Sequence, residues 1–328
     1  MFKRFPRHLA ITIGLISSAL VYADNVSTAI DRTGRQAANA LLTPAGNWGC
    51  WITDGGKCSW DAAVWGDANY IPLTGDVNAD GNADRVLYRP FDGDWGCWIT
   101  DGGKCSWDET KWGSASYQPL VGYLNSDRKL DRVVYRAADG DWGCRITDGN
   151  ACEWDAMKWG GIEFRPFVAD VDGDSISDRV LYRATDGTWG CRLRDGASCN
   201  WDSQKWGGVE YIPLLGDVNG DHIADRVLYW GSTGWWGCKV NSSAICSWDG
   251  QYWGGPGYMA MLADVNGDGK SDRVLYRPSD GEWSCMLTDG GACSWNGQKW
   301  GGPGYLPLLG DVNHDGKADR IVYKNTNN

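Results

Sequence analysis

The residues best suited to chemistry are acidic and recur in a fixed frame. Asp76, Asn78, Asp80, Gly81, Asn82 and Asp84 form the pattern D-x-N-x-D-G-x-x-D. Oxygen side chains at alternate positions, with a glycine that permits a sharp reversal, can wrap one hard cation in roughly six to eight oxygens. The ninth-position Asp is expected to close that shell. The frame returns complete at Asp264, Asn266, Asp268, Gly269 and Asp272, and at Asp311, Asn313, Asp315, Gly316 and Asp319. Two further copies keep their acidic ligands but lose the glycine: Asp170, Asp172, Asp174 and Asp178 with Ser175, and Asp217, Asn219, Asp221 and Asp225 with His222. Weaker binding is expected there, because a residue with a Cβ must hold a strained backbone. A sixth stretch, residues 123–131, has Tyr123 first and Arg128-Lys129 in place of the turn. Those two cations are expected to supply the charge that an ion supplies elsewhere, leaving Asn125, Asp127 and Asp131 without one. Carboxylates packed this closely repel one another unless neutralised, so the expectation is four or five structural Ca2+ ions. Mg2+ fits less well because it keeps its waters.

Cysteine and tryptophan repeat with the same regularity. The 12 cysteines fall into six pairs eight residues apart: Cys50 and Cys58, Cys97 and Cys105, Cys144 and Cys152, Cys191 and Cys199, Cys238 and Cys246, Cys285 and Cys293. Six identical local disulfides are the pairing that respects the repeat, each bridging neighbouring strands of one hairpin. Of the 22 tryptophans, 18 recur as three per copy. Tryptophans present in every copy suit blade-to-blade packing. The irregular ones, Trp51, Trp98, Trp230 and Trp235, are the candidates for stacking on a ligand. A repeated Asp-Arg pair, from Asp84-Arg85 to Asp319-Arg320, reads as structural, with each Arg placed to pair with a carboxylate of the next hairpin.

The elements that must position these groups follow from one period. Trp48, Trp95, Trp142, Trp189, Trp236 and Trp283 are each 47 residues apart with no insertion. Within a copy, residues 48–53 (WGCWIT), 57–60 (KCSW), 70–75 (YIPLTG) and 85–89 (RVLYR) read as four short strands, with Asp54-Gly55-Gly56 as a hairpin turn. Four strands per tandem repeat predict an all-β protein, a six-bladed β-propeller. The first copy lacks a preceding strand pair and the last lacks a following hairpin. The two halves are therefore expected to form the closing blade, which removes open sheet edges. The alternative is a linear array, which requires caps.

The stretch ADVNGDGKSDRVLYRP at residues 263–278 resembles the FG-GAP or VCBS-type repeat of integrin α-chain propellers and of many secreted bacterial proteins. The resemblance covers about half of each copy. It implies a propeller with structural calcium in the loop between the two inner strands of a blade. The WGC…CSW hairpin departs from the integrin pattern, so integrin-type partner recognition does not carry over.

Residues 1–23 read as an export signal: Lys3, Arg4 and Arg7, an apolar run over residues 9–21, and Val21-Tyr22-Ala23 before the cut. The run is too short to span a bilayer, which takes about 20 residues. Residues 24–47 form an extension in which a short helix is conceivable, and residues 48–328 carry the propeller. The net charge of −11 argues against nucleic-acid binding through phosphate neutralisation. No transmembrane segment is expected. The reading is a secreted or extracytoplasmic, non-catalytic binding module for extracellular glycans or proteins, with several equivalent weak sites. The alternatives are a polysaccharide-active enzyme and a structural envelope component. An enzyme would show as broken symmetry, and the departures that stand out are Gln118, Tyr123, Arg128, Lys129, Glu153, Glu163 and Arg165.

Overall fold

The computed structural model describes residues 45–240 and 244–324. The predicted export signal and most of the extension lie outside them. Among the described residues every regular element is a strand, and the 24 strands form six four-stranded antiparallel sheets. These are the six blades of a β-propeller.

The first blade runs from the axis outward as Ile71–Gly75, Asp84–Arg89, Asp94–Trp98 and Thr110–Lys111. The second is Gln118–Gly122, Asp131–Arg136, Asp141–Arg145 and Met157–Lys158. The third is Phe164–Ala169, Asp178–Arg183, Thr188–Arg192 and Gln204–Lys205. The fourth is Ile212–Gly216, Asp225–Trp230, Trp235–Val240 and Ala244–Ile245. The fifth is Met259–Ala263, Asp272–Arg277, Glu282–Met286 and Gln298–Lys299. The sixth joins Tyr305–Gly310 and Asp319–Lys324 to Ala45–Trp51 and Val64–Asp67, so both ends of the repeat region share one sheet. Trp48 pairs with Tyr323 and Cys50 with Ile321 across that closure, which begins at Ala45, ahead of Trp48.

The innermost strands carry Pro72, Pro119, Pro166, Pro213 and Pro307. Proline has no N–H to donate, and an edge strand facing the axis has no ladder partner on that side. The predicted second hairpin strand at residues 57–60 is not the outermost strand. That stretch makes one isolated bridge, Trp51 to Lys57, and the regular pairing comes later, at Val64–Asp67. The reason is chemical: the N–H of Cys50 is taken by Asp61 Oδ1 at 3.1 Å, so the chain turns away instead of pairing. Asp108, Asp155, Asp202, Asp249 and Asn296 do the same in the other copies, at 2.9–3.0 Å. All six predicted disulfides are present, with Cα separations of 5.6–5.8 Å.

A ring of backbone hydrogen bonds ties the blades together. The residue before each ninth-position Asp donates its N–H to the carbonyl of the first loop residue in the preceding blade. The bonds run Ala83 to Asp311, Leu130 to Asp76, Ser177 to Tyr123, Ala224 to Asp170, Ser271 to Asp217 and Ala318 to Asp264, at 2.5–2.8 Å. Six such bonds close the circle.

Candidate functional site

The acidic loops all lie on one face, between the innermost and second strands. In the five that have one, the first carboxylate folds the loop around itself. Asp170 accepts the N–H of Gly173 at 2.6 Å on Oδ1 and that of Ser175 at 2.7 Å on Oδ2. Asp76 does likewise for Ala79 and Gly81, and Asp264 for Gly267 and Gly269. Drawing those donors inward forces two left-handed residues per loop, at the fourth and sixth positions. Ser175 and His222 adopt φ of 67° and 68° where three other loops have glycine and the second has Arg128 at 63°, which is the backbone strain expected for copies without the glycine.

The ninth-position Asp is the most buried member. Asp84 accepts Val77 N–H at 2.9 Å and Thr100 N–H at 2.7 Å, which joins its own loop to the next hairpin. Asp272 and Asp319 repeat the clamp. Burial pushes the carboxyls of Asp84, Asp178, Asp272 and Asp319 up to about 7, and it also raises those of Asp76, Asp170, Asp264 and Asp311. Each carboxylate oxygen has two lone pairs, so one N–H bond leaves capacity for a cation. In the third loop Asp170, Asp172 and Asp174 offer ligand oxygens that all lie within 4.8 Å of one another. That donor set, hard oxygens of like charge in a preformed loop, fits Ca2+.

The second loop differs from the expectation placed on it. Lys129 Nζ pairs with Asp148 of the hairpin turn at 2.8 Å, just as Lys270 pairs with Asp289 in a loop that has every acidic ligand. Lysine stands at this position in three of the six loops, and in the second loop its ammonium is turned to the hairpin turn. Arg128 is exposed.

The repeated tryptophans are absorbed by the blades. Trp48 and its five equivalents are fully buried, and each donates its indole N–H to the carbonyl of the third tryptophan of its copy, at 2.9–3.1 Å. The repeated Arg does not reach a carboxylate of the next hairpin. It lies instead over the second tryptophan of the preceding blade, with Arg85 4.7 Å from Trp60 and Arg273 4.5 Å from Trp248. A guanidinium loses less on desolvation than an ammonium and gains from an indole face, which makes these seams cation–π contacts. Trp51 and Trp98 also belong to seams. They meet Trp300 and Trp65 of the preceding blades at 6.2 and 6.1 Å, where Arg145 and Arg192 cover Trp112 and Trp159 in other blades.

Trp230 and Trp235 are placed differently. On the face opposite the loops, residues at or just beyond the strand ends form a row across each blade. In the first blade the row is Tyr70, Arg89, Asp94 and Lys111. Arg89 pairs with Asp92 of the hairpin turn at 2.8 and 2.9 Å, Lys111 reaches Asp92 at 2.8 Å, and the Tyr70 hydroxyl donates to Asp94 at 2.8 Å. Arg89 holds the Asp92 carboxyl well below the usual carboxylate range. The second blade repeats the row as Tyr117, Arg136, Asp141 and Lys158, and the fifth as Tyr258, Arg277, Glu282 and Lys299. The third has Phe164, Arg183, Thr188 and Lys205, and the sixth has Tyr305, Lys324, Asn47 and Val64. In the fourth blade all the charges are gone: the row is Tyr211, Trp230, Trp235 and Tyr252, with Thr233 in place of the turn Asp. Sequence reading singled out the two tryptophans and missed Tyr211 and Tyr252. The 47-residue column containing Lys111, Lys158, Lys205, Tyr252 and Lys299 carried the signal.

The other departures from symmetry do not converge. Glu163 and Arg165 flank Phe164 at the start of an innermost strand, whereas Tyr123, Arg128 and Lys129 belong to the loop face at the other end. Glu153 pairs with Arg194 at 2.9 Å. A cleft of about 250 Å3 at the seam of the fifth and sixth blades is lined by Asn47, Trp48, Lys57, Asp61, Trp300 and Tyr305. Its carboxylate, Asp61, is engaged by Cys50 N–H and by Lys57 at 2.7 Å.

The chain matches no protein-family model and no curated protein sequence. Among solved structures it is similar to a lectin from Agrocybe aegerita that recognises non-reducing terminal N-acetylglucosamine. The TM-score is 0.53 with 15% identity, covering 85% of each chain. It is also similar to virginiamycin B lyase from Staphylococcus aureus, with a TM-score of 0.49 and 11% identity over 80% of this chain and 86% of that one. At such identities the likeness is one of fold. A shared architecture does not by itself assign an activity.

Proposed function

We propose that this chain is an exported, calcium-loaded propeller of the FG-GAP or VCBS type that serves as a non-catalytic binding module for extracellular glycans. The observation that carries the reading is where the chemistry points. The repeated Trp, Arg, Cys and ninth-position Asp are turned inward to partners within the ring, whereas the fourth blade carries a charge-free aromatic row whose outer member, Tyr252, is 72% exposed. The ligand of the lectin neighbour, terminal N-acetylglucosamine, is in keeping with a sugar as ligand. Ca2+ would be held by the first, third and fifth residues of the acidic loops and would supply the positive charge that lets those carboxylates stay ionised. Asp170, Asp172 and Asp174 are the best-placed set. The predicted export signal and six disulfides agree with an oxidising compartment.

The test is retention on a glycan array by residues 24–328, with Ca2+ and with chelator. Retention of glycans in Ca2+ that falls in chelator is the expected outcome. An array without hits in Ca2+ removes the glycan reading and leaves the protein-surface and envelope alternatives.

A further inference from the structure

The sixfold repeat would suggest six equivalent ligand sites, yet the exposed chemistry is not sixfold. Four substitutions separate the fourth blade from the first: Trp230 stands at the Arg89 position, Thr233 at Asp92, Trp235 at Asp94 and Tyr252 at Lys111. In the first blade these four residues form one ionic staple that ties the second strand, the hairpin turn and the outermost strand together. Replacing one member alone would strand its partner as an uncompensated charge. All four are replaced together, so no ionic partner is left behind.

The replacement makes an aromatic row in which Tyr252 is exposed and Tyr211, Trp230 and Trp235 are half-buried, Tyr211 and Trp235 resting against a buried core cluster. Trp230 and Trp235 are directly opposed partners on neighbouring strands, and Trp235 is the bridge partner of Tyr252. Directly paired residues project from the same side of a sheet. Tyr211 completes the row on the axis side, with its ring 5.6 Å from Trp230 and 5.5 Å from Trp235. In the first, second and fifth blades the equivalent tyrosine donates its hydroxyl to Asp94, Asp141 or Glu282. Trp235 has no oxygen to accept that donor. Two aromatics on neighbouring strands, Trp230 and Trp235, are flanked by Tyr211 just before the innermost strand and by Tyr252 in an isolated bridge, so the row spans about three strand spacings, about 14 Å, which exceeds the width of one sugar ring. Val209 and Ile245, in the same copy, are also exposed.

We infer that the Tyr211–Trp230–Trp235–Tyr252 row is a single docking track for a neutral, β-linked oligosaccharide, one per chain. This rests on the glycan reading above and goes beyond it in ligand class, place and stoichiometry. The choice of occupant follows from charge. The row has no formal charge, while its counterparts in the first, second and fifth blades carry matched ions and the chain as a whole stands at −11. An acidic glycan would be repelled by the whole and would find no cation in the row, and a basic ligand would find no carboxylate there. Equatorially substituted, β-linked pyranoses present flat C–H faces that stack on indole and phenol rings, and the tyrosine hydroxyls can bond to the ring substituents.

The experiment is calorimetric titration of residues 24–328, in Ca2+, with cellotetraose and chitotetraose, beside glucose, N-acetylglucosamine and an acidic tetragalacturonate. The expected result is one site per chain for a neutral tetrasaccharide, bound at least about ten-fold more tightly than its monosaccharide, as one or two added stacking contacts would give. Tyr252→Ala should weaken binding about ten-fold with an unchanged melting midpoint. The decisive variant exchanges the whole row for that of the first blade: Trp230→Arg, Thr233→Asp, Trp235→Asp and Tyr252→Lys. Three other blades already hold this staple, so the variant should fold, and it should lose tetrasaccharide binding. Undiminished binding by the exchanged variant, six sites per chain, or preference for tetragalacturonate each overturns the track while leaving a glycan-binding propeller. Failure of every glycan on the array as well overturns both.

Discussion

The second acidic loop and its five counterparts share a face, a position in the blade and a length, yet only some of their features agree. In both kinds the residue before the ninth position donates to the previous blade's carbonyl, and Tyr123 accepts as well as Asp76 does because the bond uses backbone oxygen. In both kinds the ninth carboxylate clamps two amides: Asp131 takes Leu124 N–H at 2.9 Å and Thr147 N–H at 2.7 Å. The difference lies at the front of the loop. Without a first-position carboxylate, Asn125 Oδ1 still accepts the fifth-position N–H of Asp127 at 2.9 Å and Arg128 stays left-handed at the sixth position, but the bend at the fourth position is lost. Ser126 is not left-handed, whereas Gly173, Gly220, Gly267 and His314 are. Ring closure therefore runs through the backbone and the ninth Asp, whereas folding of the loop front depends on the first-position carboxylate. One can be lost without the other.

The largest expected effect separates the two kinds by removing the ion. A site held at a hundred-fold excess over its Kd contributes about 2.7 kcal/mol, and each 1 kcal/mol moves the midpoint of a domain this large by about 2–4 °C. Five loaded loops should therefore lose more than about 20 °C on chelation, as read by a thermal melt. An unchanged midpoint would reduce all six loops to the status of the second.

Next comes the clamp they share. Asp131→Ala leaves two buried amides without acceptors and should cost about 3 kcal/mol in denaturant unfolding, although no ion is expected there. A harmless Asp131→Ala would break the separation between closure and cation binding. A smaller and sharper test counts ions by equilibrium dialysis. Five Ca2+ per chain are expected, with four after Asp170→Ala and five still after Asp127→Ala. The triple change Tyr123→Asp, Ser126→Gly, Arg128→Gly should bring the count to six.

The smallest effect is a pH slope. Burial raises the Asp131 carboxyl to about 7 in the folded chain, against about 3.9 when unfolded. Between those values the folded state holds a proton that the unfolded state has released. The stability this group contributes is therefore full below about pH 4 and declines as pH rises toward 7, by at most about 1.4 kcal/mol per pH unit. Measured in Ca2+, Asp131→Asn should flatten that part of the profile. A profile identical to wild type would mean that Asp131 stays ionised throughout.

Much was legible in one dimension because a repeat with no insertions makes columns. The 47-residue spacing of Trp48 to Trp283 carried the blade count, the cysteine pairing and the closing blade, since each local unit must meet its neighbour in the same way. What misled was partner choice. Residues 57–60 look like a strand, but the Asp61 carboxylate takes the amide that strand would need. Arg85 looks like an ion-pair donor, but in the ring the nearest surface is the Trp60 face of another blade. Trp51 and Trp98 look like free aromatics for the same reason.

Sequence by itself determined composition, period, local hairpins and which residues can bear charge, because these depend on neighbours along the chain. Only the tertiary structure decided which side chains are consumed at seams and which remain outside. Trp98 and Trp235 are both irregular tryptophans on third strands, Trp98 opposite Arg85 and Trp235 opposite Trp230. One closes a seam against Trp65 and the other joins a row across its own blade. That distinction is set by packing between strands far apart in sequence, where burial and exposure are assigned.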